Sequence, residues 1–195
     1  MTAHPGAARP VRQRILEAAG EAFYRDGIRA VSADKIIASA GTTKVTFYRY
    51  FPTKDDLVEA YLDQESARIQ EAAKRLPADP CQALAALAQA MGAEACRPGF
   101  RGCPFINAAA EYPAGEHPVR AAVGRHRDWF RALVTELARK LGAADPEVAA
   151  VQLIMLRDGA MVHGYVDDPA AVTDSLLQAG QAVLARHTSP GPALD

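Results

Sequence analysis

The sequence has few of the residues that mark disulfide-stabilised, metal-binding or membrane proteins. Its 195 residues include three cysteines, Cys81, Cys96 and Cys103, which are an odd number without a Cys-x-x-Cys pair. We therefore expect no disulfide framework, no metal site and no cofactor. No run approaches the roughly 18 consecutive apolar residues of a membrane-spanning helix. Residues 1–10 lack the apolar centre of a secretory signal, so a cytoplasmic protein is expected.

Motifs of common enzymes are also missing. The chain has no Gly-x-Ser-x-Gly, no phosphate-binding loop and no His-Glu-x-x-His. One arrangement remains open, in which Cys103 is a nucleophile, Asn107 an orienting group, and His117, His126 or His163 a base. No spacing in the sequence supports that arrangement, and we expect no enzymatic activity.

Net charge is small, but its distribution is uneven. The total is −1, yet residues 1–54 hold nine Lys and Arg against four Asp and Glu, while the remainder holds thirteen against nineteen. A basic segment on an acidic body is typical of a protein that meets phosphates at one end only. An all-helical module that binds only a protein partner would leave this asymmetry unexplained.

Helical patterns dominate the chain, and no stretch alternates for long enough to predict a strand. In the first part, capping residues and apolar stripes predict helices at about 11–26, 32–39, 44–50 and 54–76. Further on, an Asp-Pro pair recurs three times, which is an N-cap followed by a favoured first helical residue. These pairs predict helices at about 80–96, 146–165 and 169–187. A long amphipathic helix is predicted at about 119–141, an irregular stretch at 97–118, and a flexible tail at 189–195.

The most informative segment runs from Gly41 to Lys54. On a helical wheel at about 100° per residue, Phe47 and Phe51 form one apolar seam, and Val45 and Arg49 lie nearly opposite. An arginine can pair with guanine, and a small apolar group can contact the thymine methyl. A tight turn between two short helices is the layout of a helix-turn-helix, whose second helix enters the DNA major groove. A surface helix with solvated charges would explain neither the turn nor the charge asymmetry.

Residues 11–62 resemble the N-terminal domain of tetracycline-repressor-like (TetR family) regulators. The resemblance rests on Ile15-Leu-Glu-Ala-Ala with Phe23 and Gly27, on Ile36-Ile-Ala-Ser-Ala-Gly41, and on Thr46-Phe-Tyr-Arg-Tyr-Phe-Pro-Thr-Lys-Asp-Asp-Leu57. It implies an all-α fold, with a three-helix DNA-binding domain at 9–54 and a ligand-binding and dimerisation domain at 77–188. The helix at about 54–76 would connect the two domains.

The family's contact positions fall on nine residues of this chain. The resemblance implies base contacts from Lys44, Val45, Thr46, Arg49 and Tyr50. It implies phosphate contacts from Ser32, Thr43, Tyr48 and Lys54. Val45 departs from the glycine that many members have, and Thr42 replaces a usual valine, so operator preference could differ.

The resemblance also implies a homodimer that binds a palindromic operator and leaves it when a small, largely apolar effector enters the C-terminal domain. The last two long helices would pair with those of a second chain. Their stripes of apolar and small residues suit that packing, although packing within one chain would suit them too. The ligand would shift the helix at about 54–76 and so change the distance between the two recognition helices of the dimer.

The irregular stretch contains Gly102-Cys-Pro-Phe105, which resembles a segment of one TetR subgroup that opens a short helix lining the ligand cavity. Nearby aromatic, sulfur and polar side chains are therefore candidate pocket residues, because small-molecule sites are mostly apolar with few polar groups. They are Phe100, Cys103, Phe105, Ile106, Asn107, His126, Trp129, Phe130, Met155 and His163. Tyr112, Arg157 and Met161 are further candidates, and any of these could instead be plain core.

Three roles are open for Cys103. It can be a small buried residue, part of the pocket wall, or a thiol that senses oxidants or electrophiles. The last role is favoured by the start of a helix, which stabilises the reactive anionic form of a thiol.

Overall fold

A computed structural model describes residues 10–188 and shows, within that range, an all-helical chain without strands. Residues 189–195, where a flexible tail is predicted, and residue 9, the first of the predicted DNA-binding domain, lie outside the described range. The nine α-helices found there are α1 (Val11–Asp26), α2 (Ala33–Ser39), α3 (Lys44–Tyr50), α4 (Lys54–Ala73), α5 (Pro80–Ala95), α6 (Pro104–Glu111), α7 (Pro118–Lys140), α8 (Pro146–Val166) and α9 (Val172–Thr188).

Local signals explain where these helices begin. The Ser32, Thr43 and Thr53 side chains each accept a hydrogen bond from the backbone N–H three residues later. Thr53 and Asp56 form a reciprocal capping box, which satisfies two donors at the start of α4. The helices α5 to α8 all begin with proline, whose missing N–H costs nothing at that position.

Four predicted boundaries need correction. The connecting helix ends at Ala73 rather than near residue 76, because Pro77 disfavours helical backbone in Leu76, and residues 74–76 form a turn. Within the irregular stretch 97–118, the short helix that the resemblance implies after Gly102-Cys-Pro is α6. The long helix begins one residue earlier, at Pro118, and ends at Lys140. The last predicted helix opens as a short 3₁₀ turn, Pro169–Ala171, before α9.

The main hydrophobic core extends from α1–α3 through α4 into α6 and α7. We call α1–α3 the head and α5–α9 the body, with α4 between them. Ile15 and Phe47 of the head, Leu62 of α4, and Phe105 and Val119 of the body are fully or almost fully buried. A smaller cluster lies farther along, where Val134 of α7 meets Ala150 and Ile154 of α8. One continuous core therefore joins the first helices of the chain to α6 and α7.

Candidate nucleic-acid interface and effector cavity

The turn between α2 and α3 requires a glycine. Gly41 has φ 58°, and its N–H and that of Thr42 bond to the carbonyls of Ala38 and Ile37 at 3.2 Å each. Only glycine adopts this backbone without strain, so Gly41 ends α2 and sets the direction of α3. The Arg14 guanidinium of α1 donates to the Gly41 carbonyl at 3.4 Å. No sequence pattern predicted this supporting role of Arg14.

One side of α3 is buried and the other faces outward. Phe47 is 0% exposed, and Phe51, just after the helix, is 2% exposed. Val45 is 81% exposed on the opposite side, which is unusual for an apolar residue of a helix with a buried seam. Both aromatic rings therefore anchor α3 to the core and leave its other face free for contact with a partner.

The outward face presents the groups that the sequence predicts for DNA contact. Tyr48 and Tyr50 are 45% and 39% exposed, and Arg49 is exposed with its guanidinium 5.3 Å from the centre of the Tyr50 ring. Such a stacked guanidinium keeps its in-plane donors available. Exposed Lys44 forms an ion pair with exposed Asp34 at 2.9 Å. Because a surface ion pair contributes little free energy, a DNA phosphate can replace the Asp34 carboxylate as the partner of Lys44 at little cost.

The predicted hydroxyl contacts already have intramolecular roles. The Ser32 and Thr43 oxygens accept the capping bonds of α2 and α3 at 3.3 and 3.2 Å, and the Thr43 hydroxyl also donates to Thr46 Oγ1 at 3.0 Å. Ser32 and Thr43 are exposed, and Thr46 is half-buried.

Lys54 is placed differently from the other predicted contacts. It is half-buried, and its ammonium donates to the Arg29 carbonyl at 3.4 Å and lies 6.0 Å from the Phe23 ring. Burial lowers the pKa of Lys54. The side chain therefore ties the start of α4 to the turn after α1, in addition to any contact with phosphate.

A cavity of about 720 Å³ lies between the head and the body. It is bordered by α1, α4, α5, α7 and α8 and by the segment that leads into α6. Its wall includes Leu16, Tyr24, Tyr61, Arg68, Ile69, Leu87, Met91, Arg97, Phe100, Cys103, His126, Trp129, Phe130, Arg157 and Met161. The volume falls within the range of small-molecule sites.

Half of the ten predicted pocket residues lie on this wall: Phe100, Cys103, His126, Trp129 and Phe130. Three others belong to α6 but point elsewhere. Phe105 lies behind the wall, stacked on His126 with ring centres 3.6 Å apart. Ile106 packs against the core, and Asn107 donates to the Arg101 carbonyl at 2.8 Å.

The pocket predictions for Met155 and His163 are wrong. Met155 is 68% exposed, and exposed His163 pairs with Asp167 at 3.4 Å. Met155 lies two residues before the wall residue Arg157, and His163 lies two residues after the wall residue Met161. Two residues correspond to a rotation of about 200° on a helix. Both side chains therefore point away from the cavity.

The helices α1, α4 and α5 contribute wall residues that the sequence did not lead us to expect. Tyr24, Tyr61 and Met91 are examples. The sequence of α4 does carry a signal, since Tyr61, Glu65 and Arg68 recur at helical spacing on one face. Nothing in the sequence indicates that this face borders a cavity whose wall also includes α5.

Arg157 is the main polar group deep in the cavity wall. Its guanidinium bonds to Asp158 at 2.9 Å and to the sulfur of Cys103 at 3.4 Å, and lies 5.6 Å from the Phe130 ring centre. Burial opposes the charged form, but Cys103 and Asp158 together raise the pKa of Arg157. The wall therefore carries a permanent positive charge.

His126 provides a second polar group. Its Nδ1 is hydrogen-bonded to Ser66 Oγ of α4 at 3.0 Å, and Ser66 also accepts from Gln70 at 3.0 Å. Burial, with a smaller effect of the Arg157 and Arg127 charges, lowers the pKa of His126 to about 4. His126 is therefore neutral at neutral pH and links α7 to α4.

Side chains next to the cavity also hold the head. At the far end of α6, the Glu111 carboxylate accepts from the backbone N–H groups of Ile28 and Arg29 at 2.9 and 2.6 Å. Tyr24 of α1 donates its hydroxyl to the Gly102 carbonyl and accepts from the Arg101 N–H, both at 2.9 Å. The segment 101–111 thus contacts both the cavity and the turn that follows α1.

The outer face of α8 exposes a run of large apolar side chains, each between 43% and 68% exposed. They are Val148, Val151, Met155, Val162, Tyr165 and Val166. Exposed apolar patches are typical of surfaces that contact a protein, a membrane or a ligand.

Residues 10–188 contain no cluster of three or more His, Cys, Asp or Glu side chains that could hold a metal ion. In the same range, none of the helices has the length and hydropathy of a membrane span.

Comparisons with known proteins agree with this architecture. A family model described as bacterial regulatory proteins, tetR family, matches residues 15–61, and one described as tetracyclin repressor-like, C-terminal domain, matches residues 80–179. The crystal structure of SCO4454, a TetR-family transcriptional regulator from Streptomyces coelicolor, is 42% identical, with 92% of this chain and 96% of that chain covered and a TM-score of 0.86.

Two further relatives are more distant or shorter in extent. A regulator from Streptomyces avermitilis, sav143, is 28% identical over 90% of this chain and 98% of that chain, with a TM-score of 0.80. The HTH-type regulator YvkB of Bacillus subtilis is 39% identical over 59 residues, which are 30% of this chain and 31% of that protein. The match thus spans about a third of the length of this curated relative.

Proposed function

This chain belongs to the TetR family of bacterial transcriptional regulators, and we propose that it is a repressor that binds a palindromic operator as a homodimer and leaves it when a small molecule enters the cavity. TetR-family regulators are DNA-binding transcription factors and not enzymes. The proposed DNA-binding domain is 9–54, with α4 as connector, and the proposed effector and dimerisation domain is 77–188.

The observation that carries DNA recognition is the outward face of α3. It places an exposed arginine and an exposed small apolar side chain, Arg49 and Val45, opposite a buried aromatic seam. We assign base contacts to Lys44, Val45, Thr46, Arg49 and Tyr50. Ser32, Thr43, Tyr48 and Lys54 are assigned to phosphates.

Dimerisation is supported by the exposed apolar face of α8 and by the neighbouring α9, in which Val172 is buried and the other residues are half-buried or exposed. Pairing of both helices with those of a second chain would cover these side chains. Two reading helices can then enter successive major grooves, which requires a spacing of about 34–36 Å.

Release is supported by the position of α4. This helix lines the cavity through Tyr61 and Arg68, is held to α7 by the Ser66–His126 hydrogen bond, and continues directly from the head. A ligand that displaces α4 would change the spacing of the two heads. Equal head spacings in ligand-free and ligand-bound crystals would contradict this mechanism.

The test of DNA recognition begins with selection of a duplex from a random pool, followed by fluorescence anisotropy. We expect two chains per duplex and affinity that falls steeply with salt. An Arg49→Ala variant should bind about 10- to 100-fold more weakly and with relaxed preference at one base pair, because a bidentate base contact contributes about 1–3 kcal/mol. Arg25→Ala is the control, since Arg25 is exposed on α1 and engaged with Asp26 at 2.9 Å. If Arg49→Ala keeps the operator affinity and base preference of the wild type, the outward face of α3 is not the surface that contacts the bases.

A second candidate is a regulator of the same fold that senses electrophiles or oxidants through Cys103. Two observations favour it: the sulfur lies on the cavity wall, and it is 3.4 Å from an Arg157 nitrogen. Cys103 is only 4% exposed, so a reagent must enter through the cavity. A Cys103→Ser variant whose operator release by an electrophile is unchanged would exclude this candidate.

A further inference from the structure

The cavity wall has one deep charge that its own partners do not balance. Only 15% of the Arg157 side chain is exposed, and its Nε is buried without a hydrogen-bond partner. Its one carboxylate partner, Asp158, is shared, because Arg127 bonds to the other oxygen of Asp158 at 2.8 Å. Two guanidinium groups therefore face a single carboxylate, and this end of the cavity has an excess of one positive charge.

The acidic residues of the wall lie on α1, α4 and α5 rather than beside Arg157 on α8, and they are Glu17, Glu21, Glu65 and Glu94. Two of them form ion pairs with arginines of their own helix or of its end. Glu65 pairs with Arg68 at 2.9 Å, and Glu94 pairs with Arg97 at 2.9 Å. Both arginines are about half or more exposed, at 65% and 48%. These pairs are individually balanced and open to solvent, where charges are screened. The unbalanced charge at Arg157 lies in a less polar environment, where an opposite charge interacts more strongly.

Apolar surface surrounds the charged end. The Phe130 ring lies under the Arg157 guanidinium, and Trp129 follows along the same wall. A second space of about 100 Å³ lies between α5, α7, α8 and α9. Four residues border both spaces: Leu87, Met91, Phe130 and Arg157. The remaining wall of the second space is mainly aliphatic, with Leu84, Leu153 and Leu177 among its residues. A ligand at Arg157 therefore meets charge at one point and hydrocarbon or rings around it.

We propose that the effector is an apolar molecule with a single anionic group, a monocarboxylate, whose carboxylate pairs with Arg157 and whose hydrocarbon part lies along Phe130 and Trp129. This inference rests on the proposed function, because it assumes that the cavity is the effector site. It adds the chemical class of the ligand and the residue that selects it.

The chain contains one tryptophan, Trp129, and this residue lies on the cavity wall, so its fluorescence reports binding without any DNA. The probes are octanoate, octanol and octylammonium, which share one tail and differ in charge. We expect octanoate to bind about tenfold more tightly than octanol, as for a hydrogen bond to a charged group, and octylammonium to bind least.

Three variants locate the effect. Arg157→Met should remove the preference for octanoate over octanol and leave octanol binding within about twofold. Asp158→Asn, which frees Arg157 from its carboxylate, should strengthen octanoate binding and so tests the proposal even if Arg157→Met does not fold. The control is Arg125→Met, because exposed Arg125 on α7 pairs with Asp63 outside the cavity wall.

Octanol or octylammonium binding as tightly as octanoate, or no binding of octanoate, would overturn the proposed ligand class. A preference for octanoate that persists in Arg157→Met would overturn the assignment to Arg157. Operator release is measured separately with a labelled duplex. Octanoate binding without release would leave the ligand class in place and count against the proposed function, so the two failures are distinguishable.

Discussion

The short helices α3 and α6 are similar in length and differ in what they contact. They have seven and eight residues, too few to be stable alone, and each depends on a buried phenylalanine, Phe47 or Phe105. In α3 the other side chains face outward, so the helix presents a surface. In α6 both ends contact other parts of the molecule. The first turn borders the cavity, and Glu111 in the last turn accepts a hydrogen bond from the turn after α1. One helix presents the recognition surface, and the other connects the cavity to the head.

The largest expected effect comes from truncating the two buried phenylalanines that anchor α3 and α6. Phe47→Ala and Phe105→Ala should each lower the free energy of unfolding by about 3–5 kcal/mol, because a large buried ring leaves a cavity. Denaturant unfolding at equilibrium measures the loss. Val45→Ala is the control, since Val45 is 81% exposed and its truncation should cost less than about 0.5 kcal/mol. A small loss for only one of the two phenylalanines would show that the helices are not anchored alike.

The next test concerns the buried histidine against which Phe105 stacks. The pKa of His126 is lowered from 6.5 to about 4 by burial and by nearby cations, so the unfolded chain binds the proton more readily. Its contribution to stability is complete above about pH 6.5 and is lost as pH falls toward 4, by up to about 3 kcal/mol.

The measurement is the pH dependence of unfolding for the wild type and His126→Gln. The amide retains a polar partner for Ser66 but does not titrate. The difference in stability between the two proteins should shrink as pH falls from 6.5 to about 4.5, while effects of the carboxylates cancel. A constant difference would mean that His126 is not held neutral in the folded protein.

The smallest expected effect comes from weakening the contact between Glu111 of α6 and the turn after α1. Glu111→Gln replaces a charged acceptor of two backbone N–H groups by an amide oxygen, and we expect a loss of about 1–2 kcal/mol. Amide hydrogen exchange should become faster at Ile28 and Arg29, and ligand-induced operator release should weaken. Glu116→Gln is the control, because Glu116 is exposed in the turn after α6. Unchanged exchange at both amides would show that α6 does not hold the head.

Much of the head was predictable because its determinants are close in sequence. Ser32, Thr43 and Thr53 cap helices within three residues of themselves, and the spacing of Phe47 and Phe51 indicates the buried side of α3. At the start of α3, the hydrogen bond from the Thr46 N–H identifies Thr43 as the cap. The proposed base and phosphate contacts themselves remain predictions.

The cavity was only partly predictable because its wall is assembled from distant helices. The sequence indicated aromatic and sulfur residues near 100–130, and five of the ten candidates are on the wall. It placed Met155 and His163 there by residue type, since periodicity alone does not say which of two faces of α8 turns inward. The roles of Tyr24 and Tyr61 depend on how α1 packs against α4 and how α4 packs against α7, which leaves both tyrosines on the wall of one cavity. No local pattern encodes that arrangement.

By itself, the sequence determined the helical class, most helix boundaries, the helix-turn-helix and the family, because capping, periodicity and turn chemistry act over a few residues. Tertiary structure alone decided that two arginines share the carboxylate of Asp158, that His126 is buried beside Phe105, and that Glu111 binds the turn after α1. These contacts join residues far apart in the chain, 31 positions for Arg127 with Asp158 and 83 for Ile28 with Glu111. Burial and charge at such sites depend on the packing of whole helices, which brings those residues together.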